Sequence, residues 1–289
     1  MKHSAYGKTV EDIFSTAQVQ NLARAACDGD SKEVDRLIAK GVDVNEVGRF
    51  KVTPLIWMLT CKGIEFPDLL AFRAENSSSR SMKPVDSSYL AALKSLLAAG
   101  ANANQMIDGD FGPIYPGGQG YWIDHYTPVL IAAEFYQAPI LKLLLQYGGD
   151  PNAVDGENEH TALSLAFDRA RWLDLGPQMA PFDKRQWESF YLLLDAGAEP
   201  GKKMANGSSV TIYATMNRPD IAHEVVKKYG YSGDLDDIAW ILISAIEVGL
   251  PEEERRNFLI FLETERNVDV NAVWKAVREN NAKPAQIKK

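Results

Sequence analysis

The residues of this chain that could do chemistry are few. The histidines are His3, His125, His160 and His223. None falls into His-Glu-x-x-His, and Cys27 and Cys61 form no Cys-x-x-Cys, so zinc-ligand spacing is absent. His223-Glu224 belongs to a helical run, where a surface or packing histidine is expected. Asp155, Glu157 and Glu159 alternate within one loop. The donor pattern of a calcium loop does not surround them, so a solvated acidic loop is expected. Gly7-Lys8-Thr9 imitates the end of a phosphate-binding loop, but Lys2 stands where its first glycine is required. Gly117-Gly118-Gln119-Gly120 lacks the following Lys-Ser/Thr, and no Gly-x-Ser-x-Gly elbow occurs. The expectation is a non-enzyme with no catalytic residue, no cofactor and no metal.

Composition narrows the alternatives. The chain has 289 residues, 46% hydrophobic and 24% charged, which excludes a disordered or collagen-like protein. Lys and Arg number 31 against 39 Asp and Glu, a net charge of −8. That balance argues against nucleic acid as partner, because phosphate binding needs a basic stripe. No apolar run approaches the ~18 residues of a membrane span. Met1-Lys2-His3-Ser4-Ala5-Tyr6-Gly7 has no apolar core of a signal peptide, which leaves a cytoplasmic protein or a mature form whose leader has been removed. Two cysteines make no disulfide framework. One bridge is open to them, but two free, packed thiols are the expectation.

Stepping along the chain, one phrase recurs: Lys40-Gly41-Val42-Asp43-Val44-Asn45, Ala99-Gly100-Ala101-Asn102-Ala103-Asn104, Tyr147-Gly148-Gly149-Asp150-Pro151-Asn152 and Ala196-Gly197-Ala198-Glu199-Pro200-Gly201. A Leu-rich helical run precedes each. Thr53-Pro54-Leu55, Thr127-Pro128-Val129 and Thr161-Ala162-Leu163 open the segments that follow the first three. Threonine caps a helix through its hydroxyl, and proline fits the first turn, where its missing N–H is not needed. Small residues such as Ala132-Ala133 let that inner helix lie close to its neighbours. The glycine ends the outer helix in a left-handed conformation.

This grammar resembles the ankyrin repeat, strongly over residues 19–230 and weakly over 231–281, with Thr127 to Ala153 as the best unit. The resemblance implies an all-α solenoid of about six helix pairs in a single domain over 1–281. Residues 1–18 are an N-terminal extension, 231–281 a degenerate repeat with capping helices, and 282–289 a frayed tail. Helices are expected over Leu235–Val248, Glu252–Glu263 and Val270–Asn280. The repeat glycines lie further apart than the family's ~33 residues, so repeats two to four hold insertions: Ile64–Asp86, Gln105–Asp124 and Arg171–Lys184.

The resemblance also implies where a protein partner binds, on the hairpin tips and the inner-helix face. The tip positions are Arg49, Phe50 and Lys51, then His125, then Glu157, Asn158 and Glu159. The inner-helix positions are Cys27-Asp28, Thr60-Cys61, Glu134-Phe135 and Asp168-Arg169. Aromatic side chains and arginine anchor interfaces because they bury much area with few torsions. Phe111, Tyr115, Tyr121 and Trp122 of the second insertion and Trp172 of the third are candidates, with packing against their own scaffold as the alternative. Trp57, Trp187 and Trp240 are expected in the core. Deleting Gln105–Asp124 is expected to weaken binding and to leave stability nearly unchanged.

One further resemblance rests on the opening. Val10-Glu11-Asp12-Ile13-Phe14, Leu22 to Asp30, Val34 to Asn45 and Thr53-Pro54-Leu55-Ile56-Trp57 look like the exported ankyrin proteins that accompany lipase-type effectors of bacterial type VI secretion. It implies an immunity protein that binds one cognate phospholipase-type toxin and inhibits it in the periplasm. The other reading is a scaffold or host-directed effector that bridges proteins without inhibiting an enzyme, and cytoplasmic residence is the other location.

Overall fold

Threonine hydroxyls start the inner helices. Thr16, Thr53, Thr127 and Thr161 each accept from the backbone N–H three residues on, at 3.4, 3.4, 3.3 and 3.0 Å. Without that acceptor the first N–H groups of a buried helix would stay unsatisfied. Pro54 and Pro128 take the first helical position after two of these caps. Two outer helices start instead on aspartates. Asp30 accepts from Glu33 N–H at 3.0 Å and Asp86 from Ser88 N–H at 2.8 Å.

The computed structural model describes residues 4–5, 7–61, 85–109, 111–112, 124–135, 138–156, 159–167, 187–205, 207, 209–211, 219–229, 252–267 and 269–281. They are mostly helical and divide into two compact units, Met1–Gly197 and Ala198–Lys289.

The first unit opens with a two-stranded hairpin, β1 (Ser4–Ala5) and β2 (Lys8–Thr9), and a short helix α1 (Val10–Ile13). Then come α2 (Ala17–Asp28), α3 (Ser31–Ala39), α4 (Pro54–Thr60), α5 (Ser87–Ala98), α6 (Pro128–Phe135) and α7 (Ala138–Gln146). Residues 162–167 are helical, and α8 (Glu188–Asp195) closes the series. Inner helices α2, α4 and α6 pack in sequence, and outer helices α3, α5, α7 and α8 pack in sequence behind them. The core lies between the two rows. Leu22, Leu55, Leu93, Leu130 and Leu141 are fully buried there, each worth about 1.5–3 kcal/mol of transfer free energy. Ala26, Ala132 and Ala133 are equally buried and bring the backbones close. The end of the unit has an aromatic core, with Phe167, Trp187 and Phe190 in mutual edge contact at 5.3–5.8 Å. Trp57 and Trp187 lie in the core as expected.

Each outer helix ends as the repeated phrase predicts. Gly41, Gly100, Gly148 and Gly197 have φ between +81° and +94°, the left-handed region open to glycine. At Gly148-Gly149 the second glycine has its own reason, since a Cβ there would meet Val129 Cγ2 at 2.6 Å. Four residues beyond the terminal glycine, Asn45, Asn104 and Asn152 bond forward to the carbonyls of Gly100, Gly148 and Gly197.

One expectation changes here. The cysteines are not free: Cys27 at the end of α2 and Cys61 just after α4 form a disulfide with Cα atoms 6.1 Å apart. They are separated by 34 residues in sequence, and only the stacking of two inner helices brings them together. The N-terminal extension is part of the packed structure. Val10, Ile13 and Phe14 are buried, Phe14 meets Trp57 edge-on at 6.4 Å, and Glu11 pairs with Arg24 of α2.

In the second unit, Lys203 and Ser209 bridge across a turn at Gly207. Thr211 donates from both its N–H and its hydroxyl to the Pro200 carbonyl. Helix α9 (Pro219–Tyr229) buries Val225 and Val226. Helices α10 (Glu252–Arg266) and α11 (Val270–Asn281) pack together, close to the expected ranges. Asp269 accepts from the Asn271 N–H at 2.9 Å, the same turn that Asp43 makes with Asn45. The Leu235–Val248 helix, Trp240 and the 282–289 tail lie outside the described residues.

Candidate protein-binding edge

Between each outer helix and the next inner helix the chain makes a hairpin, and three hairpins of the first unit join into one edge. The first is closed by Gly48 N–H donating to the Val52 carbonyl at 2.8 Å. Its tip is a 3-10 turn, Arg49–Lys51. The second is closed by Ile107 N–H to the Tyr126 carbonyl at 3.0 Å and His125 N–H to the Ile107 carbonyl at 3.1 Å. The third is closed by the Val154–Thr161 bridge and by Asp155 N–H to the His160 carbonyl at 3.1 Å.

The tips touch. Asp108 N–H donates to the Phe50 carbonyl at 2.9 Å, and Lys51 Nζ meets Asp108 Oδ2 at 2.7 Å. The Lys51 hydrogen bond, and then its charge, hold the Asp108 carboxyl below its ordinary value. At the next junction Gly156 lies flat against His125, since a Cβ on Gly156 would meet the imidazole at 2.5 Å. His125 Nδ1 is 3.0 Å from Asp124 Oδ1, which also accepts the Gly109 N–H at 2.8 Å.

Backbone strain concentrates on this edge. Among the described residues, the non-glycine residues with positive φ are Phe50, Lys51, His125, Glu159 and Asn267. All but Asn267 are at hairpin tips. Such conformations cost free energy and persist only where the surroundings fix them. Here the fixing groups are the inter-tip bonds and an aromatic-cation stack. Arg49 lies 4.7 Å over the Phe50 ring, and Lys8 Nζ lies 5.3 Å from Phe50 and 5.8 Å from Phe111. Lys8 Nζ also donates to the Phe111 carbonyl at 2.7 Å.

The structure thus gathers Arg49, Phe50, Lys51, His125 and Glu159 along the tips. Glu134 is on α6, half-buried and bonded to the Tyr126 hydroxyl at 2.9 Å, so its carboxylate is fixed rather than free to swing. Phe111 departs from the expected surface anchor. It is fully buried, 6.0 Å from the Phe50 ring, because the second insertion re-enters the scaffold there. Ile107 of the same insertion is also fully buried. Cys27, Thr60 and Cys61 are buried too, Thr60 by bonding the Ile56 carbonyl, which leaves Asp28 as the exposed member of that inner-helix set. Asp155 is not solvated: it is 7% exposed and binds the His160 N–H and ring nitrogen at 2.9 and 3.0 Å. Tyr115, Tyr121, Trp122, Glu157, Asn158, Asp168, Arg169 and Trp172 lie outside the described residues, as does the side chain of Phe135.

Sequence reasoning missed three members. Lys8 comes from the N-terminal hairpin, and nothing in its local sequence points to Phe111. Val47 and Met106 are exposed apolar side chains, 52% and 38% accessible. Both stand two places after the repeat asparagine, so alignment of the repeats would have paired them.

Chemically the edge offers charge, a stacked guanidinium and two apolar side chains. Donor atoms of Asp108, Asp124 and His125 lie within 4.8 Å of one another. A cation there would have to displace Lys51 from Asp108, so the set works as an ion-pair cluster. These are the features of a protein-recognition surface.

Comparison with known proteins bears on the same region. No curated protein matches the chain. The family model of the ankyrin repeat matches residues 124–156, which run from the second tip through α6 and α7 to the Gly156 that packs on His125. That stretch includes Thr127 to Ala153, the unit the sequence singled out, and ankyrin repeats are protein-interaction modules that are generally not enzymes. This chain carries an ankyrin repeat over those residues, which supports a protein-binding module.

Proposed function

We propose that this protein is a stoichiometric inhibitor of one secreted enzyme, an immunity partner that binds a phospholipase-type toxin of type VI secretion and blocks it in the periplasm. The observation that carries this reading is the strained, cross-bonded tip edge. A scaffold that greets many partners uses adaptable loops. Here Phe50, Lys51 and His125 are held in left-handed conformations by neighbouring tips, and a rigid display favours one fitted partner because little ordering is left to do on binding. Arg49 stacked on Phe50 supplies the anchor type that dominates interface energetics. The likeness of the opening segment to lipase-paired ankyrin proteins supplies the enzyme class, and the Cys27–Cys61 bridge suits an oxidising compartment.

The test is a pull-down with this chain as bait from cells that carry its gene, read by mass spectrometry. One hydrolase recovered at equal stoichiometry supports the reading. Several unrelated proteins, with no enzyme among them, would move the assignment to a scaffold.

A further inference from the structure

The Cys27–Cys61 bridge stands at a particular place in the repeat series. Cys27 stands in the last turn of inner helix α2 and Cys61 follows inner helix α4, so the bond ties two successive units across the inner row. It encloses α3, the first hairpin with its Arg49–Lys51 tip, and α4. Later junctions of the first unit are held by packing and by the asparagine bonds, as Asn104 holds Gly148. The first junction has such a bond too, from Asn45 to Gly100, and adds the covalent tie. A terminal repeat has a neighbour on one side only and is where a solenoid opens first.

Both sulfur-bearing residues are buried, at 0% and 1% exposure. Once α2 has docked on α4, no oxidant reaches them, so the bond forms before or during docking. The chemistry is thiol–disulfide exchange. One thiolate attacks the disulfide of an oxidant of that class, the second resolves the mixed disulfide, and the two electrons and two protons of the cysteines leave with the oxidant as its two thiols.

We infer that Cys27–Cys61 is a redox-conditional lock on the N-terminal repeats, closed once as the chain folds in an oxidising compartment. In a reducing compartment the same chain folds with two thiols at this junction and opens there more readily. Closing a loop of 34 residues is worth roughly 10²–10³ in the folding equilibrium. This lock stands whether or not the partner is a toxin.

The experiment compares the full chain refolded with oxidised glutathione against the same chain unfolded, reduced and refolded in a phosphine reductant. Thiols are counted by maleimide mass tagging in denaturant, and hydrogen exchange is read over residues 17–61. The expected result is no free thiol in the first sample, and exchange over 17–61 about tenfold or more faster in the second. A Cys27→Ala/Cys61→Ala variant should exchange at one rate with or without reductant. Two free thiols after glutathione treatment, or equal exchange in the oxidised and reduced wild type, would overturn the inference. The wild-type comparison decides the matter even if the variant does not fold.

Discussion

Asn104 donates its side-chain amide to the carbonyl of Gly148 at 2.8 Å, joining one repeat loop to the next. The bond is answered in the other direction, since Asn104 Oδ1 accepts from the Asp150 N–H at 2.7 Å. Asn45 makes the same pair with Gly100 and Asn102. Each asparagine is held by the residue two before it, Asn102 accepting from Asn104 and Asp43 from Asn45. The repeated Asp/Asn-x-Asn phrase is thus a ladder between units. Helix ends leave carbonyls and N–H groups unpaired, and the ladder satisfies one of each per junction.

Replacing Asn104 with alanine removes both bonds at a solvent-exposed site, where water partly takes their place. Urea unfolding should show a loss of about 1 kcal/mol. Helix content should not change, because the helices keep their own caps.

The second insertion has two parts with different costs. Removing residues 113–123 and joining the ends with a short Gly-Ser link should leave stability within about 1 kcal/mol, because a shorter loop changes closure entropy only slowly. Phe111→Ala should cost about 3–5 kcal/mol, since it empties a fully buried site between Phe50 and Lys8. This revises the expectation that deleting the whole Gln105–Asp124 segment leaves stability nearly unchanged. Thermal unfolding of the two variants separates the parts.

Thr161→Ala takes the acceptor from the Ser164 N–H at the start of the fourth inner helix. A loss of about 0.5–2 kcal/mol is expected, with Thr161→Ser close to wild type. Calorimetric melting of the pair checks it.

Asp108 titrates below its ordinary value of 3.8 because Lys51 bonds it. A carboxyl depressed by folding adds stability that is present above the unfolded value and is lost as pH falls through the folded one. The pair's contribution should therefore hold above pH 3.8 and disappear only as pH falls below that value, through the lowered folded one, and it is small because both partners are exposed. In Lys51→Met the Asp108 carboxyl should titrate back toward 3.8, read by NMR of the side-chain carbon.

Local signals carried most of the repeat. Thr-Pro-Leu and the outer-helix glycines are caps, their physics lies within five residues, and the structure keeps them. What was hidden depends on distance along the chain. Cys27 meets Cys61 only because α2 stacks on α4. Lys8 reaches Phe111 across 103 positions, so no window of sequence contains both. Phe111 sits in a Gly/Pro-rich run that reads as loop, yet its ring fills a gap beneath the first tip. The tip row was legible as a set of positions, but its strain was not, since Phe50 and Lys51 carry no local preference for positive φ.

The decisive measurement is a titration of the captured enzyme's hydrolytic activity with this chain, run beside Arg49→Glu/Lys51→Glu. A one-partner inhibitor gives activity that falls linearly to the baseline at one equivalent, with the double variant needing about tenfold more or beyond, the worth of one interface anchor. Activity that stays level through several equivalents of wild type would contradict the immunity reading, and equal inhibition by the variant would contradict the tip edge.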